Sequence, residues 1–265
     1  MTLTQNLSKT WKRLFKVKKF FWLAVLFDLL FFVALSQVYW VFFTPATEAA
    51  LQASDFIQQE MEKLAETTDL TELNEMVMQN PEFVAAYHKL LELAGLFLLV
   101  SLIAWIVFKS FAWYFSYQNV KKVKLKKFFL NFLIRSIFWF FALIFYLFFM
   151  FWVLGKLTFA QTTGISALST ILWAGFFALL YFAQLSLASI PQKFKNAFIL
   201  GVKYARKLVF VYVFNLLLVI ALLALSFYAV KFSPYAGFAI FFILFLPSLA
   251  FTRTNLLVAT WLKQQ

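Results

Sequence analysis

The chain has 265 residues, 64% of them hydrophobic, and a mean hydropathy of +0.84. Only about half of a typical soluble domain is apolar, so this composition excludes a purely soluble globular fold. The formal net charge is +13, and the chain contains no cysteine, which excludes a disulfide framework and thiol chemistry.

The charges are sharply divided along the chain. Ten of the eleven acidic residues lie between Glu48 and Glu92, and the eleventh is Asp28. The basic residues cluster elsewhere, next to long apolar runs. In a membrane chain such a division indicates topology before it indicates a binding partner.

The N-terminal segment, residues 1–19, combines six basic residues with Leu7, Trp11, Leu14 and Phe15 at helical spacing. This pattern predicts a basic interfacial helix whose apolar face lies on the membrane. Residues 20–43 then predict the first transmembrane helix. The apolar run is too long for a signal peptide and lacks a small-residue cleavage site, so we expect a retained signal anchor.

Residues 44–90 form the one sizeable polar segment and predict an acidic, extracytoplasmic helical insertion. It is too small to fold alone, so we expect it to pack on the mouth of the bundle or on a partner protein. Three helix starts are predicted here from capping patterns: Thr44-Pro45, Asp69 with Glu72, and Asn80-Pro81.

The rest of the chain predicts five further spans and a second interfacial helix. A turn is expected around Gly155 and Gly164, another at Ser233-Pro234, and a kink at Pro247. The predicted ranges are 91–116 for the second span, 128–153 for the third, 165–189 for the fourth, 191–207 for the basic interfacial helix, 208–230 for the fifth span and 236–259 for the sixth.

Basic residues predict the orientation in the membrane. Twenty of them flank one side of the predicted spans, whereas only Lys63, Lys89, Lys156 and Lys231 fall on the other. Because cytoplasmic loops carry the excess of Lys and Arg, we expect a multi-pass protein of the plasma (cytoplasmic) membrane. Both termini would be cytoplasmic and residues 44–90 extracytoplasmic.

The predicted fold is therefore all-α: a six-helix transmembrane bundle of three helical hairpins, with an extracytoplasmic helical hairpin insertion. The basic motif at 16–21 is echoed at 122–129 and again at 203–210. Two explanations stay open, namely duplication of a hairpin unit and convergence of Lys-rich collars next to Phe-rich spans.

Five polar side chains fall at a similar depth within the predicted spans, about 12–15 Å from the basic collar at 1.5 Å per residue. Charged groups there cost about 2.5–3.5 kcal/mol, so they require partners. One interpretation pairs Asp28 with Arg135 or Arg253 to fix helix register; another is an anion site or polar pathway. Lys109 either joins this layer or snorkels to the surface. The intramembrane polar layer comprises Asp28, Arg135, Gln184, Asn215 and Arg253.

The basic collars fit the phosphate groups of anionic membrane lipids, although they would also arise for topology alone. Nucleic-acid binding is not expected, because the bases adjoin spans whose aromatic residues belong in the bilayer. The single histidine, His88, reads as a solvated helix residue, and we predict no catalytic residue, no metal site and no cofactor. The expected lipid contacts are Lys12, Arg13, Lys121, Lys122, Lys193, Lys203 and Arg206.

The sequence from Lys195 to Gly201, followed by Lys203 and Arg206-Lys207, resembles a basic Ala-x-x-x-Gly segment of uncharacterised prokaryotic polytopic membrane families. One such case is the membrane domain that accompanies some glycerophosphodiester phosphodiesterases. The segment is also similar to the coupling loop of ABC-transporter permeases, but Lys195 stands where that motif has Glu, and its later Leu-Pro is missing. The resemblance covers about residues 190–230. It implies a multi-helix membrane domain and carries over no catalytic residue.

Two functions fit these patterns best, and an intramembrane enzyme is a third alternative. The first is a non-enzymatic membrane component that binds lipid headgroups, or binds a protein partner through residues 44–90. The second is a transporter or permease subunit that uses the polar layer. A water-accessible cavity reaching Asp28 and Arg135 would favour transport, whereas a dry bundle would favour the first.

Overall fold

The computed structural model describes residues 3–16, 18–63, 79–159, 165–190 and 192–261. These residues are almost entirely helical and contain no strand, which confirms the all-α class. Among the described residues, six helices are long and apolar enough to cross a membrane, so the protein is a multi-pass membrane protein. The six spans are Lys19–Gln59, Pro81–Val120, Leu125–Lys156, Leu168–Ala188, Ala205–Val230 and Pro234–Trp261.

Three of the spans contain a π-helical turn, and two shorter helices lie outside the spans. The N-terminal helix is Leu3–Lys16, and a second short helix, Phe194–Lys203, precedes the fifth span. The π-helical turns are Tyr39–Phe43 in the first span, Trp105–Lys109 in the second and Phe241–Phe245 in the sixth.

Two of these turns end two residues before a proline. The N–H of Thr44 donates to the carbonyl of Tyr39, and the N–H of Leu246 donates to the carbonyl of Phe241, each five residues back. Pro45 and Pro247 follow, and a proline inside a regular helix clashes with the carbonyl four residues before it. The wider turn spares that clash, so the helix continues through the proline.

The predicted helix start at Thr44-Pro45 is therefore wrong. Thr44 has helical angles (φ −61°, ψ −52°), and the first span runs without a break from Lys19 to Gln59. Likewise, Gly155 lies inside the helix Leu125–Phe159 and not in a turn. The predicted capping box at Asp69 and Glu72, and Gly164, lie outside the described residues.

Two other predicted boundaries are confirmed. The side-chain oxygen of Asn80 accepts from the N–H groups of Glu82 (2.9 Å) and Phe83 (3.2 Å), and Pro81 occupies the first helical position. Ser233 is extended (φ −160°, ψ 128°), and Pro234 begins the next helix.

The chain divides into two compact units. The smaller unit, Phe31–Trp105, consists in its described part of the C-terminal part of the first span and the N-terminal part of the second. These two spans have 41 and 40 residues, about 60 Å at 1.5 Å per residue, or about twice the hydrocarbon thickness of a bilayer. The described part of the acidic insertion is thus a continuation of the two spanning helices.

The helices of the smaller unit pack through a few apolar side chains. Ala53, Phe83 and Ala86 are buried together, and Phe56 and Val84 pack against them. The acidic residues Glu48, Asp55, Glu62, Glu82 and Glu92 are all exposed. This unit therefore has a thin apolar seam and an acidic surface.

The larger unit, Met1–Leu30 with Ile106–Gln265, contains the last four spans and both short helices. Successive spans are joined by hydrogen bonds from side chains to backbone carbonyls. Tyr146 donates to Leu172 between the third and fourth spans (2.7 Å), and Ser226 donates to Gly237 between the fifth and sixth (2.9 Å). The third and fourth spans, and the fifth and sixth, therefore pack as hairpins.

Candidate functional site

A buried ion-pair cluster joins three spans in the larger unit. Asp28 Oδ1 accepts from Lys109 Nζ (2.7 Å) and from Arg253 Nη1 (2.9 Å), and Asp28 Oδ2 accepts from Arg253 Nη2. Asp28 is 0% exposed, Lys109 6% and Arg253 8%. We call Asp28, Lys109 and Arg253 the charge triad.

Two local features hold the cations of the triad in place. Lys109 is the last residue of the π-helical turn Trp105–Lys109, which has no proline after it to explain it. Such turns re-aim a side chain and are frequent at functional sites. Arg253 Nε donates to Ser116 Oγ (3.2 Å), and Ser116 donates in turn to the carbonyl of Ala112 (2.8 Å).

The triad holds one carboxylate against two cations, so it has a surplus of positive charge when all three groups are ionised. Bringing charges out of water is costly, and the mutual hydrogen bonds offset much of that cost. Lys109 therefore does not snorkel but joins the polar layer. The described contacts of Asp28 engage both of its oxygens.

Arg135 does not join the triad. It donates to the carbonyl of Ser186, to Ser189 Oγ (3.2 Å) and to the carbonyls of Ile190 (3.4 Å) and Gln192 (2.5 Å). These groups follow or end the helix of the fourth span, where unpaired carbonyls and the helix dipole attract a cation. The pairing of Asp28 with Arg135, one of two predicted alternatives, is thus wrong, and Arg135 caps a helix.

Tyr117 completes this cap. Its hydroxyl donates to the carbonyl of Leu187 (2.9 Å) and accepts from the N–H of Ile190 (2.9 Å), and the side chain is fully buried. Arg135 and Tyr117 together therefore fix the backbone that leaves the fourth span.

The other two residues of the predicted layer, Gln184 and Asn215, form no hydrogen bond with the charge triad in the described structure. Gln184 is exposed, so it does not belong to a buried layer. Asn215 is buried and donates to the carbonyl of Thr252 (3.1 Å), while its side-chain oxygen accepts from Asn255 Nδ2 (2.8 Å). Asn215 therefore belongs to an amide network distinct from the triad.

This network reaches the N-terminal helix. Asn255 Oδ1 accepts from Asn6 Nδ2 (2.5 Å) and from Thr10 Oγ1 (3.3 Å), and Asn6, Thr10 and Asn255 are all buried. We call Asn6, Thr10, Asn215 and Asn255 the amide ladder. It ties the N-terminal helix to the fifth and sixth spans.

This contact adds a packing role for the N-terminal helix, whose interfacial position stays a prediction. Trp11, expected on a membrane-facing apolar stripe, is 51% exposed but packs against Phe251 with tilted rings, 5.1 Å between ring centroids. The buried stripe is instead Asn6, Thr10 and Leu14, at a spacing of four residues. That spacing was visible in the sequence, but two of its three members are polar, so an apolar criterion missed it.

Three of the expected lipid-contact residues make a described contact, and six of the seven are exposed. Arg13 Nη1 donates to the carbonyl of Val120 (2.8 Å) at the end of the second span. Lys121 Nζ lies over the ring of Trp261 (4.2 Å), and Lys203 Nζ lies over the ring of Tyr204 (5.6 Å). The exposed members are Lys12, Lys121, Lys122, Lys193, Lys203 and Arg206.

Four lysines line a pocket of about 160 Å³ between the second and third spans. It is bounded below by two buried apolar side chains, Phe128 and Ile190. We call it the lysine pocket. Its lining residues are Lys121, Lys122, Val123, Lys124, Lys127, Phe128, Asn131 and Ile190.

Comparison with known proteins found no relative of this chain. No protein-family model, no curated protein and no solved structure matches the chain. The resemblance of residues 190–230 to membrane domains of uncharacterised families stays a prediction, and the function must be argued from the site itself.

Proposed function

We propose that the protein is a non-enzymatic component of the cytoplasmic membrane that binds the headgroups of anionic lipids through the basic face of its larger unit. The basic face is defined by Lys12, Arg13, Lys121, Lys122, Lys193, Lys203 and Arg206. One observation carries this proposal. The larger unit has a single acidic residue, Asp28, and that residue is paired with Lys109 and Arg253.

The exposed cations of the larger unit therefore have no carboxylate of their own unit to neutralise them. Anionic headgroups supply the missing counter-charge, at about 1 kcal/mol for each base near the membrane surface. In this proposal both termini and the basic face are cytoplasmic, and the acidic smaller unit is extracytoplasmic, where its exposed carboxylates suit a protein partner with a basic surface.

The test compares lipids retained by matched charge variants. We expect the wild-type protein, purified in mild detergent, to retain anionic lipids above their share of the membrane, as measured by native mass spectrometry. Replacing Lys193, Lys203 and Arg206 with Gln should reduce this enrichment strongly. Replacing Lys89, Lys156 and Lys231, which are exposed and lie on the opposite predicted side, removes equal charge and should change it little. Equal effects, or no enrichment, would contradict the proposal.

A second candidate function, a transporter or permease subunit, is favoured by the charge triad. Its surplus cation is buried, and Lys109 is presented by a π-helical turn that no proline accounts for. A small anion that enters the bundle would find a positive site there. Flux of a radiolabelled anion into proteoliposomes, lost in Lys109→Met while the variant remains folded, would support this function. Absence of flux for the wild-type protein across chloride, phosphate and small carboxylates would count against it.

A further inference from the structure

We propose that the lysine pocket is a discrete binding site for one phosphate-bearing lipid headgroup. This inference rests on the proposed function, since it selects one site from a broad basic face. The pocket lies where the chain leaves the second span and enters the third, and its rim carries Lys121, Lys122, Lys124 and Lys127.

The charge at this rim calls for an anion. The four lysines fall within seven residues of sequence, and all four are exposed. The single carboxylate of the larger unit, Asp28, is bonded to Lys109 and Arg253. A phosphate group, with several acceptor oxygens and at least one negative charge, can accept from more than one lysine at once.

The backbone adds to this attraction. The helix of the third span begins at Leu125, inside the lysine segment, and its first backbone bond runs from the N–H of Phe128 to the carbonyl of Lys124 (3.1 Å). The N–H groups of Leu125, Lys126 and Lys127 precede that bond and have no intrahelical acceptor. The positive end of the helix dipole thus coincides with the four lysines.

The apolar floor favours a lipid over free phosphate. Most of the accessible surface of the pocket is apolar, and the nearly fully buried Phe128 and Ile190 close it toward the interior of the bundle. Both backbone groups of Ile190 are hydrogen-bonded: its N–H donates to the Tyr117 hydroxyl, and its carbonyl accepts from Arg135. A lipid phosphate carries a glycerol and acyl chains that such a floor can contact, whereas inorganic phosphate has no apolar part.

The experiment uses the full chain in phosphatidylcholine nanodiscs. Phosphatidic acid is added in increasing amounts, and one-to-one binding is followed by native mass spectrometry. Lys122→Gln with Lys127→Gln removes two lysines of the pocket. The matched control is Lys126→Gln with Lys195→Gln, two exposed lysines of the basic region that do not line the pocket. Both variants alter exposed side chains, and circular dichroism checks that each is folded.

We expect the pocket variant to weaken binding about 25-fold, which corresponds to about 1 kcal/mol for each lysine, and the control variant to weaken it about fivefold or less. Equal weakening by the two variants would overturn the pocket while leaving the broader basic face intact. If phosphatidic acid does not bind the wild-type protein more tightly than phosphatidylcholine, the pocket and the proposed function both fail.

A second arm separates the two sources of phosphate. Inorganic phosphate is added to the same nanodiscs with phosphatidic acid present. We expect it to displace the lipid only at concentrations far above that of the lipid, because the contact with the apolar floor is missing. Displacement at equal concentration would overturn the assignment to a lipid.

Discussion

At the scale of single residues, Asp28 is a fully buried carboxylate on which two buried cations depend. It forms ion pairs with Lys109 of the second span and Arg253 of the sixth. Removing one partner of a buried ion pair costs more than the pair contributes, because the remaining charge keeps its desolvation penalty and loses its counter-charge.

We therefore predict that Asp28→Asn destabilises the protein by about 3–5 kcal/mol. Lys109 and Arg253 would keep their burial but lose the negative charge that both of them contact. Unfolding in mixed detergent micelles, followed by circular dichroism, gives the free energy. The control is Asp55→Asn, which makes the same chemical change at an exposed position and should alter stability by less than about 0.5 kcal/mol. Equal stability of the two variants would show that the triad is not a structural requirement.

The sequence identifies costly residues more readily than their partners. Asp28 and Arg253 stand out because a charge within an apolar run is rare, and opposite charges suggest a pair. Arg135 stands out for the same reason, but its partners are mainly backbone carbonyls at the end of the fourth span. Every residue has a carbonyl, so no side-chain pattern marks this contact. The sequence therefore could not show that Arg135 is separate from the pair of Asp28 and Arg253.

At the scale of helices, the fifth and sixth spans approach each other at Gly237. A Cβ built at this position would lie 3.0 Å from the carbonyl oxygen of Ser226 and 3.1 Å from the backbone nitrogen of Val230. Backbone atoms cannot move aside as a side-chain end can. Gly95, in the second span, would meet nothing within 4 Å.

We predict that Gly237→Ala destabilises the protein by about 1–3 kcal/mol, because the added methyl group forces the two helices apart. Gly95→Ala should be neutral or stabilising by up to about 1 kcal/mol, since Ala is the better helix former. The midpoint of thermal unfolding in detergent compares the two variants. Destabilisation of similar size in both would mean that helix propensity, and not packing, governs the effect at Gly237.

The N-terminal helix makes contacts that its own sequence pattern does not predict. Its length and helicity follow from its pattern, but its docking depends on polar groups on both partners. Asn6 and Thr10 bond to Asn255, a residue 245 or more positions away in the chain. Periodicity within one helix cannot reveal a partner at such a distance, so the docking of this helix on the sixth span could not be predicted.

We predict that Asn255→Ala releases the N-terminal helix, because the amides of Asn6 and Asn215 would lose a buried partner at a cost of about 1–3 kcal/mol. Since the chain has no cysteine, Leu14→Cys provides a single buried thiol that reports the release. Its reaction with a maleimide should become at least about fivefold faster. Asn131→Ala, which removes a side chain bonded to Lys127, is the control and should leave the rate unchanged. An unchanged rate in Asn255→Ala would show that other contacts hold the helix.

At the scale of the whole molecule, acidic and basic residues are divided between the two compact units. Ten of eleven acidic residues belong to the smaller unit, and all but two of the 24 Lys and Arg residues belong to the larger one. Six apolar helices and this division were both predictable from sequence, because hydropathy and charge are summed over many residues. The boundary at Thr44 was not, because a π-helical turn lets a proline sit inside a helix.

The division of charge leads to a prediction of topology. Twenty bases on one side of the spans against four on the other predict that residues of the smaller unit face the outside of the cell. In the cysteine-free chain, Gln58→Cys should react with a membrane-impermeant maleimide on intact cells. Lys195→Cys should react only after the membrane is permeabilised; both side chains are exposed, so access and not burial decides the outcome. The opposite pattern would place the basic face outside the cell. It would then meet a leaflet that lacks the negative surface potential of the cytoplasmic one, and the proposed lipid binding would lose its electrostatic basis.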